Sequence, residues 1–372
     1  MSRRATLFPL FALLAAAAGW FLPLAQSDGA GLGGWLAPVL LLIALVSCLV
    51  PGLVTLTVMV FAALAGAWLP VQELQGTGSQ AAGGYWLLLW GQLLAAVGGA
   101  GLVSLSEQEV EPGWRQRLRV LVPPAVVPVV LLLVWQGLVI GFAVPKGIFP
   151  GVHHVVQQLQ ASLPVLLNDS YVTFVQEVAL GLLIGVSAGF LAGVAISFSP
   201  FLQRGFLPLA VAFGAVPIVG LAPVLGRAFG VDWESKAAVV VIVTFFPVVL
   251  NIVQGLLHVD PLKLELLRAY AARPYEVFLK VRLPNSLPYL FNALKIGVVV
   301  AVISVIVAEF LIPGPPRGLG QRISLSARQG AFDVAFAAIV VSSVFSIVMY
   351  SVVSFLERVS TSWHASHRGE EG

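Results

Sequence analysis

The sequence predicts an all-α polytopic membrane protein with about ten transmembrane helices. Three observations carry this. Of 372 residues only 10% are charged and 59% are hydrophobic, with a mean hydropathy of +0.97, whereas soluble domains are about 25% charged. Apolar runs of about 20 residues recur, the length a helix needs to cross a bilayer core. The runs are continuous and do not alternate over about 10 residues as barrel strands do. A backbone in lipid must satisfy its own hydrogen bonds, which leaves helices.

The elements follow in order. "MSRRATLFPLFALLAAAAGWFLPLA" puts two arginines before an apolar run, the pattern of a span or of a signal peptide. "PLAQ" is a poor cleavage site, which favours a retained span. Residues 35–70 would make one helix about 54 Å long, too long for a core of about 30 Å. Pro51-Gly52 lies midway and predicts a turn between two short spans. A fourth span covers 85–105. "SEQEVEPGWRQRLR" (106–119) then reads as a charged cytoplasmic linker. Six more spans are expected at 120–143, 171–198, 206–226, 237–257, 286–311 and 332–356. The expected division is an N-terminal extension of four helices (1–118), a membrane domain (119–358) and a cytoplasmic tail (359–372).

Cations give the orientation. Arg3, Arg4, Arg115, Arg117, Arg119, Arg204, the block 263–282, Arg358 and Arg368 all fall on one side of ten spans. The positive-inside rule makes that side cytoplasmic, with both termini inside. The net charge of +3 therefore points to topology, and no nucleic-acid partner is expected. One stretch dissents. "PGPPRGLGQRISLSARQGAF" (313–332) falls outside yet carries Arg317, Arg322 and Arg328. It is too polar to span and too long for a turn, so a short re-entrant or surface segment is expected, with its arginines in a solvated loop.

Between Asp260 and Arg282 lie eight of the 37 charged residues. In lipid each would cost about 2.5–3.5 kcal/mol, so this stretch lies outside the membrane. Asp260 suits an N-cap and Pro261 the first helical position. Leu262, Leu266, Leu267, Tyr270 and Ala271 recur on one helical stripe. Pro274 ends that helix at Arg273 and opens a second, carrying Val277, Phe278 and Val281, which Leu283-Pro284 is expected to stop. Two short amphipathic helices with a bend result. They can lie on the membrane surface or dock into a cytosolic partner.

This stretch resembles the EAA loop of permease subunits of binding-protein-dependent ABC importers. The pattern is Glu-Ala-Ala, three residues, Gly, nine residues, an aliphatic, one residue, then Leu-Pro. Here it falls on Glu265, with Ala271 at the glycine position, Val281 at the aliphatic, and Leu283-Pro284. Leu266 and Leu267 replace the two alanines. "VPKGIFPGVHHVVQQLQ" (144–160), "AVPIVGLAPVLGRAFG" (215–230) and "LPYLFNALKIGVVVAVISVIVAEFL" (287–311) are similar to successive segments of nitrate/sulfonate/taurine-type permeases. The resemblance covers about 120–358 and leaves the N-terminal extension unmatched.

The resemblance implies a transporter subunit, not an enzyme. An external solute-binding protein would deliver substrate, two permease copies (often a homodimer) would form the pathway, and two separate ATPase subunits would drive it. Asp260, Pro261, Glu265, Leu267, Ala271, Val281, Leu283 and Pro284 would form the ATPase-coupling loop. Glu265 would be its polar contact, with Leu267 and Ala271 on its apolar face. The sequence contains no G-x-x-x-x-G-K-[ST] phosphate loop. No cofactor is expected on this chain, and the energy must come from another polypeptide or from an ion gradient. The substrates implied are nitrate, sulfonates, taurine, or heterocycles such as riboflavin and hydroxymethylpyrimidine. The expected spans hold almost no cations deep in the membrane, which favours a neutral heterocycle.

Other residues compete with packing roles. Glu177 and Glu309 are candidate pathway residues, because acids within spans are functional hypotheses by default. Both fall near an expected helix end, where a headgroup-level or packing role competes. Lys295 is expected to snorkel to the interface. His153 and His154 lack the spacing of a helical metal pair and are expected at the surface. Gly181, Gly185, Gly189 and Gly193 make a small-residue face for helix contact. Cys48, the single cysteine, is expected to be buried packing. The other class of function is an ion-coupled secondary transporter. It would need paired intramembrane carboxylates and internal repeats, and the sequence displays neither.

Overall fold

The computed structural model describes residues 7–20, 22, 24, 36–49, 53–75, 79–105, 113–214, 216–312, 314 and 317–361. The Pro51-Gly52 turn, Arg3, Arg4, residues 106–112 of the linker and Arg368 lie outside them. Every regular element among the described residues is a helix. Seven are long and apolar enough to cross a membrane, and a bent pair makes an eighth. Two shorter apolar helices lie near the N-terminus. Packing separates the chain into two units, Met1–Gln157 and Gln158–Gly372.

The first unit holds α1 (Leu7–Trp20), α2 (Leu36–Leu49), α3 (Leu53–Leu74), α4 (Gly83–Leu105) and α5 (Gly113–Gly141). Small residues let these helices approach closely, as packing in lipid requires. A Cβ on Gly91 of α4 would stand 2.6 Å from the Ala12 carbonyl of α1. The Tyr85 hydroxyl of α4 donates to the Gly137 carbonyl of α5 at 2.7 Å, and the Ala81 N–H to the Gly141 carbonyl at 2.8 Å. Thus α5, the first helix of the permease resemblance, packs with the N-terminal helices. Arg115, Arg117 and Arg119, expected in the linker, form its first turns. Cys48 is buried.

α6 covers Val152–Ser170. A π-helical segment (Tyr171–Ala179) and α7 (Leu180–Ser197) continue it, making one helical run of 46 residues. The sequence placed a span only from 171. α8 (Pro200–Gly214) and α9 (Ile218–Phe229) are bent by 101°, where one span over 206–226 was expected. Pro217 is extended, with φ −71° and ψ 117°, outside the helical region, and this interrupts the helix.

α10 (Trp233–Leu257) is the central helix of this unit, packed between α7 and α13 (Leu283–Leu311). All four glycines of the α7 face are buried. Cβ atoms at Gly181, Gly189 and Gly193 would stand 2.5 Å from Val240, 2.8 Å from the Phe245 carbonyl and 2.8 Å from Ile252, all on α10. α11 (Pro261–Ala269) and α12 (Pro274–Val277) precede α13. α14 (Leu319–Arg328) and α15 (Phe332–Ser360) follow it, so part of the polar stretch at 313–332 is a short helix.

Candidate functional site

The charged block forms its first helix as its sequence dictates. The Asp260 carboxylate accepts from the Leu262 N–H at 2.9 Å, and Pro261 opens α11. No residue of α11 is buried. Glu265 is exposed, and so are Leu262, Leu266 and Tyr270, one turn apart along one face. Leu267 is half-buried. After α11 the chain turns at Ala271, whose φ is +52°. Ala272 N–H then bonds the Leu267 carbonyl at 3.0 Å. The EAA pattern has glycine at Ala271, and the left-handed backbone gives the reason.

α12 is not stopped by Leu283-Pro284, contrary to the sequence expectation. The chain stays helical from Pro274 to Leu311, 38 residues, through a π-helical segment at Phe278–Arg282. Pro284 lacks an N–H, and its ring conflicts with the carbonyl four residues back. The wider π turn absorbs both, and the Leu283 N–H reaches back to the Phe278 carbonyl. Val281, Leu283 and Pro284 are half-buried within this run. Asn285 ties the run to the end of α10, donating to the Gly255 carbonyl at 2.8 Å and the His258 carbonyl at 3.2 Å. Phe278 packs against Val248, Ile252, Leu256 and Ala293. The second half of the block is therefore anchored in the bundle, whereas α11 stands free of it.

At the other end of α13 lies a buried polar cluster. Thr173 and Glu177 sit in the first π-helical segment, Asp169 just before it, and Glu309 near the end of α13; none is more than 2% exposed. The Thr173 hydroxyl donates to Glu309 Oε1 at 2.8 Å. Three amides at the start of α14 turn to this cluster. Gly318 N–H donates to Asp169 Oδ1 at 3.4 Å, Leu319 N–H to Thr173 Oγ1 at 2.9 Å, and Gly320 N–H to Glu309 Oε2. Arg322 pairs with Asp169 through Nε, so it is not a residue of a solvated loop. Arg317 and Arg328 are exposed. Lys236, also buried, donates to the Val231 carbonyl and to the Asp232 carbonyl, the latter at 3.0 Å.

Glu177 and Glu309, separated by 132 positions of sequence, are brought together as neighbours in this buried cluster. The sequence displayed no paired intramembrane carboxylates; the fold makes this pair. Glu177 lies far from any helix end, because α6 extends its span by 19 residues before Tyr171. Asp169, Thr173, Lys236, Gly318 and Gly320 were not singled out from the sequence. Asp169, Thr173 and Glu177 did carry a signal, one polar stripe at four-residue spacing. Two cavities flank the cluster. One, about 550 Å³, is lined by Glu309, Gln321, Ser324 and Arg328 among others. Another, about 350 Å³, is lined by Asn168, Tyr171, Gln176, Trp233, Lys236 and Arg317 among others.

Lys295 Nζ lies 2.8 Å from Glu357 Oε2 of α15, so a carboxylate pairs the ammonium expected at the interface. The two histidines correct a further expectation. His153 and His154 are half-buried, with ring centroids 3.8 Å apart. His153 Nδ1 lies 2.7 Å from Gln136 Nε2, a contact that draws the ring against α5.

Comparison with known proteins matches residues 181–360 to a family described as "Binding-protein-dependent transport system inner membrane component". A probable ABC transporter permease protein of Haemophilus influenzae is 32% identical over 236 residues, covering 63% of this chain and 95% of that protein. The formylaminopyrimidine transport permease ThiX of Halalkalibacterium halodurans is 30% identical over 186 residues, 50% of this chain and 74% of that protein. The riboflavin transport system permease RibX of Chloroflexus aurantiacus is 28% identical over 168 residues, 45% of this chain and 61% of that protein. Matches also carry names for aliphatic sulfonate, taurine and nitrate permeases. With an all-helical multi-pass fold and nearly the whole of the Haemophilus permease matched, this chain belongs to the family of permease subunits of binding-protein-dependent ABC importers.

Proposed function

We propose that this chain forms the solute pathway of its importer as one of two identical copies. Both termini face the cytoplasm, an external binding protein delivers the solute, and separate ATPase subunits hydrolyse ATP. Residues 119–358 are the permease proper and 1–118 an added membrane extension. One observation carries the coupling assignment: α11 presents Glu265 and the apolar face of Leu262, Leu266 and Tyr270 with no residue buried, while the helical run that follows is anchored in the bundle. A short amphipathic helix offered in this way suits the groove of a partner. Glu265→Arg tests it. Charge reversal leaves folding intact and lowers both ATPase co-purification and transport by about tenfold, the effect of losing one charged interfacial contact. Unchanged ATPase recovery would remove Glu265 from the joint.

For substrate, the reading is a neutral planar heterocycle of the vitamin or vitamin-precursor class. The buried Lys236 ammonium is engaged by two backbone carbonyls. The cavity beside it carries two amides, Asn168 and Gln176, and two aromatic rings, Tyr171 and Trp233, with Asp232 and Arg317 as charges of opposite sign. Rings and amides suit a flat molecule with hydrogen-bonding edges better than a compact anion. Relatives named for pyrimidine and riboflavin transport agree with this. Competition in an uptake assay discriminates: riboflavin or a formylaminopyrimidine displaces the labelled solute, and taurine, alkanesulfonate and nitrate do not. ATP-dependent uptake that survives ionophores separates this reading from ion coupling through Glu177 and Glu309.

A further inference from the structure

α13 joins two places that the sequence keeps apart. One end of its helical run begins at Pro274, inside the charged block; the other carries Glu309. At 1.5 Å per residue the run is about 57 Å long. We propose that Glu309 is a positioning residue for transport, which fastens α14 to α13 so that motion delivered at the charged block moves α14 as well. This rests on the coupling-loop reading above.

The attachment is specific. First-turn amides have no partner inside their own helix. In α14 and its approach, three consecutive N–H groups are taken up by Asp169, Thr173 and Glu309, which belong to two other helical runs. Thr173 serves twice, accepting from Leu319 and donating to Glu309. The groups that make these bonds are buried, so letting go leaves several polar groups unsatisfied at once. The approach is also close. A Cβ on Gly320 would stand 2.5 Å from Glu309 Oε2 and 2.8 Å from the Ile306 carbonyl, so the α14 backbone rests on the backbone of α13 as well as on one flexible side chain. Beyond the clamp, Ser324, Leu325 and Arg328 of α14 face Phe310 and Leu311 of α13 across the larger cavity. The clamp therefore sets the shape of that cavity. An α14 that slid independently would change it without any signal from the coupling loop.

The experiment uses the full chain in complex with its ATPase and binding protein in lipid nanodiscs. Spin labels replace Ile303 on α13 and Leu325 on α14, both exposed. Their distance is measured nucleotide-free and after trapping with ATP and vanadate. The proposal expects one narrow distance, the same in both states, in the otherwise unaltered chain. Glu309→Gln broadens or splits it. In one flip the amide NH2 of that variant opposes the Gly320 N–H; in the other it donates to Thr173 Oγ1, and the hydroxyl proton that Glu309 Oε1 accepted loses its partner. ATPase stimulation by the binding protein falls about tenfold, as expected for loss of one buried hydrogen bond, while the ATPase stays bound. Should Glu309→Gln fail to assemble, Thr173→Val reproduces the broadening and Thr173→Ser restores the narrow distance. A distance that shifts between the two states in the unaltered chain would overturn the proposal, as would a narrow distance retained in Glu309→Gln or Thr173→Val. Failure of the coupling-loop reading is distinct: it appears as normal ATPase recovery in Glu265→Arg.

Discussion

Ala271 holds a left-handed backbone, φ +52°, where the EAA pattern has glycine. For an L-residue with a Cβ this conformation costs about 1–2 kcal/mol. Glycine gives part of that back through a more flexible unfolded chain. Ala271→Gly should therefore stabilise the turn by about 0.5–1 kcal/mol, slowing hydrogen exchange at the Ala272 N–H by roughly two- to fivefold. Exchange that quickens would show the turn unstrained. The position was legible in sequence as a departure from a pattern, but its cause was not, because φ is set by where α11 ends. The buried cluster was legible in pieces. Glu177 and Glu309 stood out as acids in apolar runs, and Asp169, Thr173 and Glu177 share a four-residue spacing. Nothing local pointed from Glu309 to Gly320, since that contact depends on α14 folding back onto α13.

Among elements, the apolar runs gave the spans and the prolines gave the breaks, with unequal success. Pro217 breaks α8 from α9, whereas Pro284 does not end a helix. The difference lies in neighbours. Around Pro284 the helix can widen to a π turn because Phe278 packs into the bundle and Asn285 is held by two carbonyls of the α10 end. A π turn adds one residue, about 100° of rotation, between α12 and α13. Pro284→Ala supplies the missing N–H and lets an ordinary α-helix form. The prediction is a helix no less stable but an α12 and α11 rotated relative to α13. ATPase stimulation should fall several-fold with the permease fully folded, read by comparing stimulated hydrolysis with circular dichroism. Stimulation at the original level would show that the π turn does not set the register of the loop.

For the whole molecule, residues 1–118 are the part that the permease resemblance leaves out. The Haemophilus permease is almost fully covered by 63% of this chain, and the extension lies outside the resemblance. Its helices hold α5 through Tyr85, Ala81 and the Leu89 side chain seated on Gly137. Deleting residues 1–110 removes those contacts and exposes Val122, Val126 and Leu133 of α5 to lipid or detergent. Lipid tails replace apolar packing at little cost, but the Gly137 carbonyl loses one bond of about 1 kcal/mol. Transport should persist and the melting temperature in detergent should fall by several degrees; loss of transport at unchanged melting would assign the extension a direct part in the pathway. The sequence alone determined that this chain is a bundle of membrane helices and where its charged loop lies, because burying charge in lipid costs more than any packing could return. It also determined the helix-capping chemistry of that loop, which is local. Only the tertiary structure decided which acids meet, that the loop and the Glu309 end share one unbroken helix, and that α14 is capped by other helices. Those outcomes depend on contacts between residues far apart in the chain, and no local pattern specifies them.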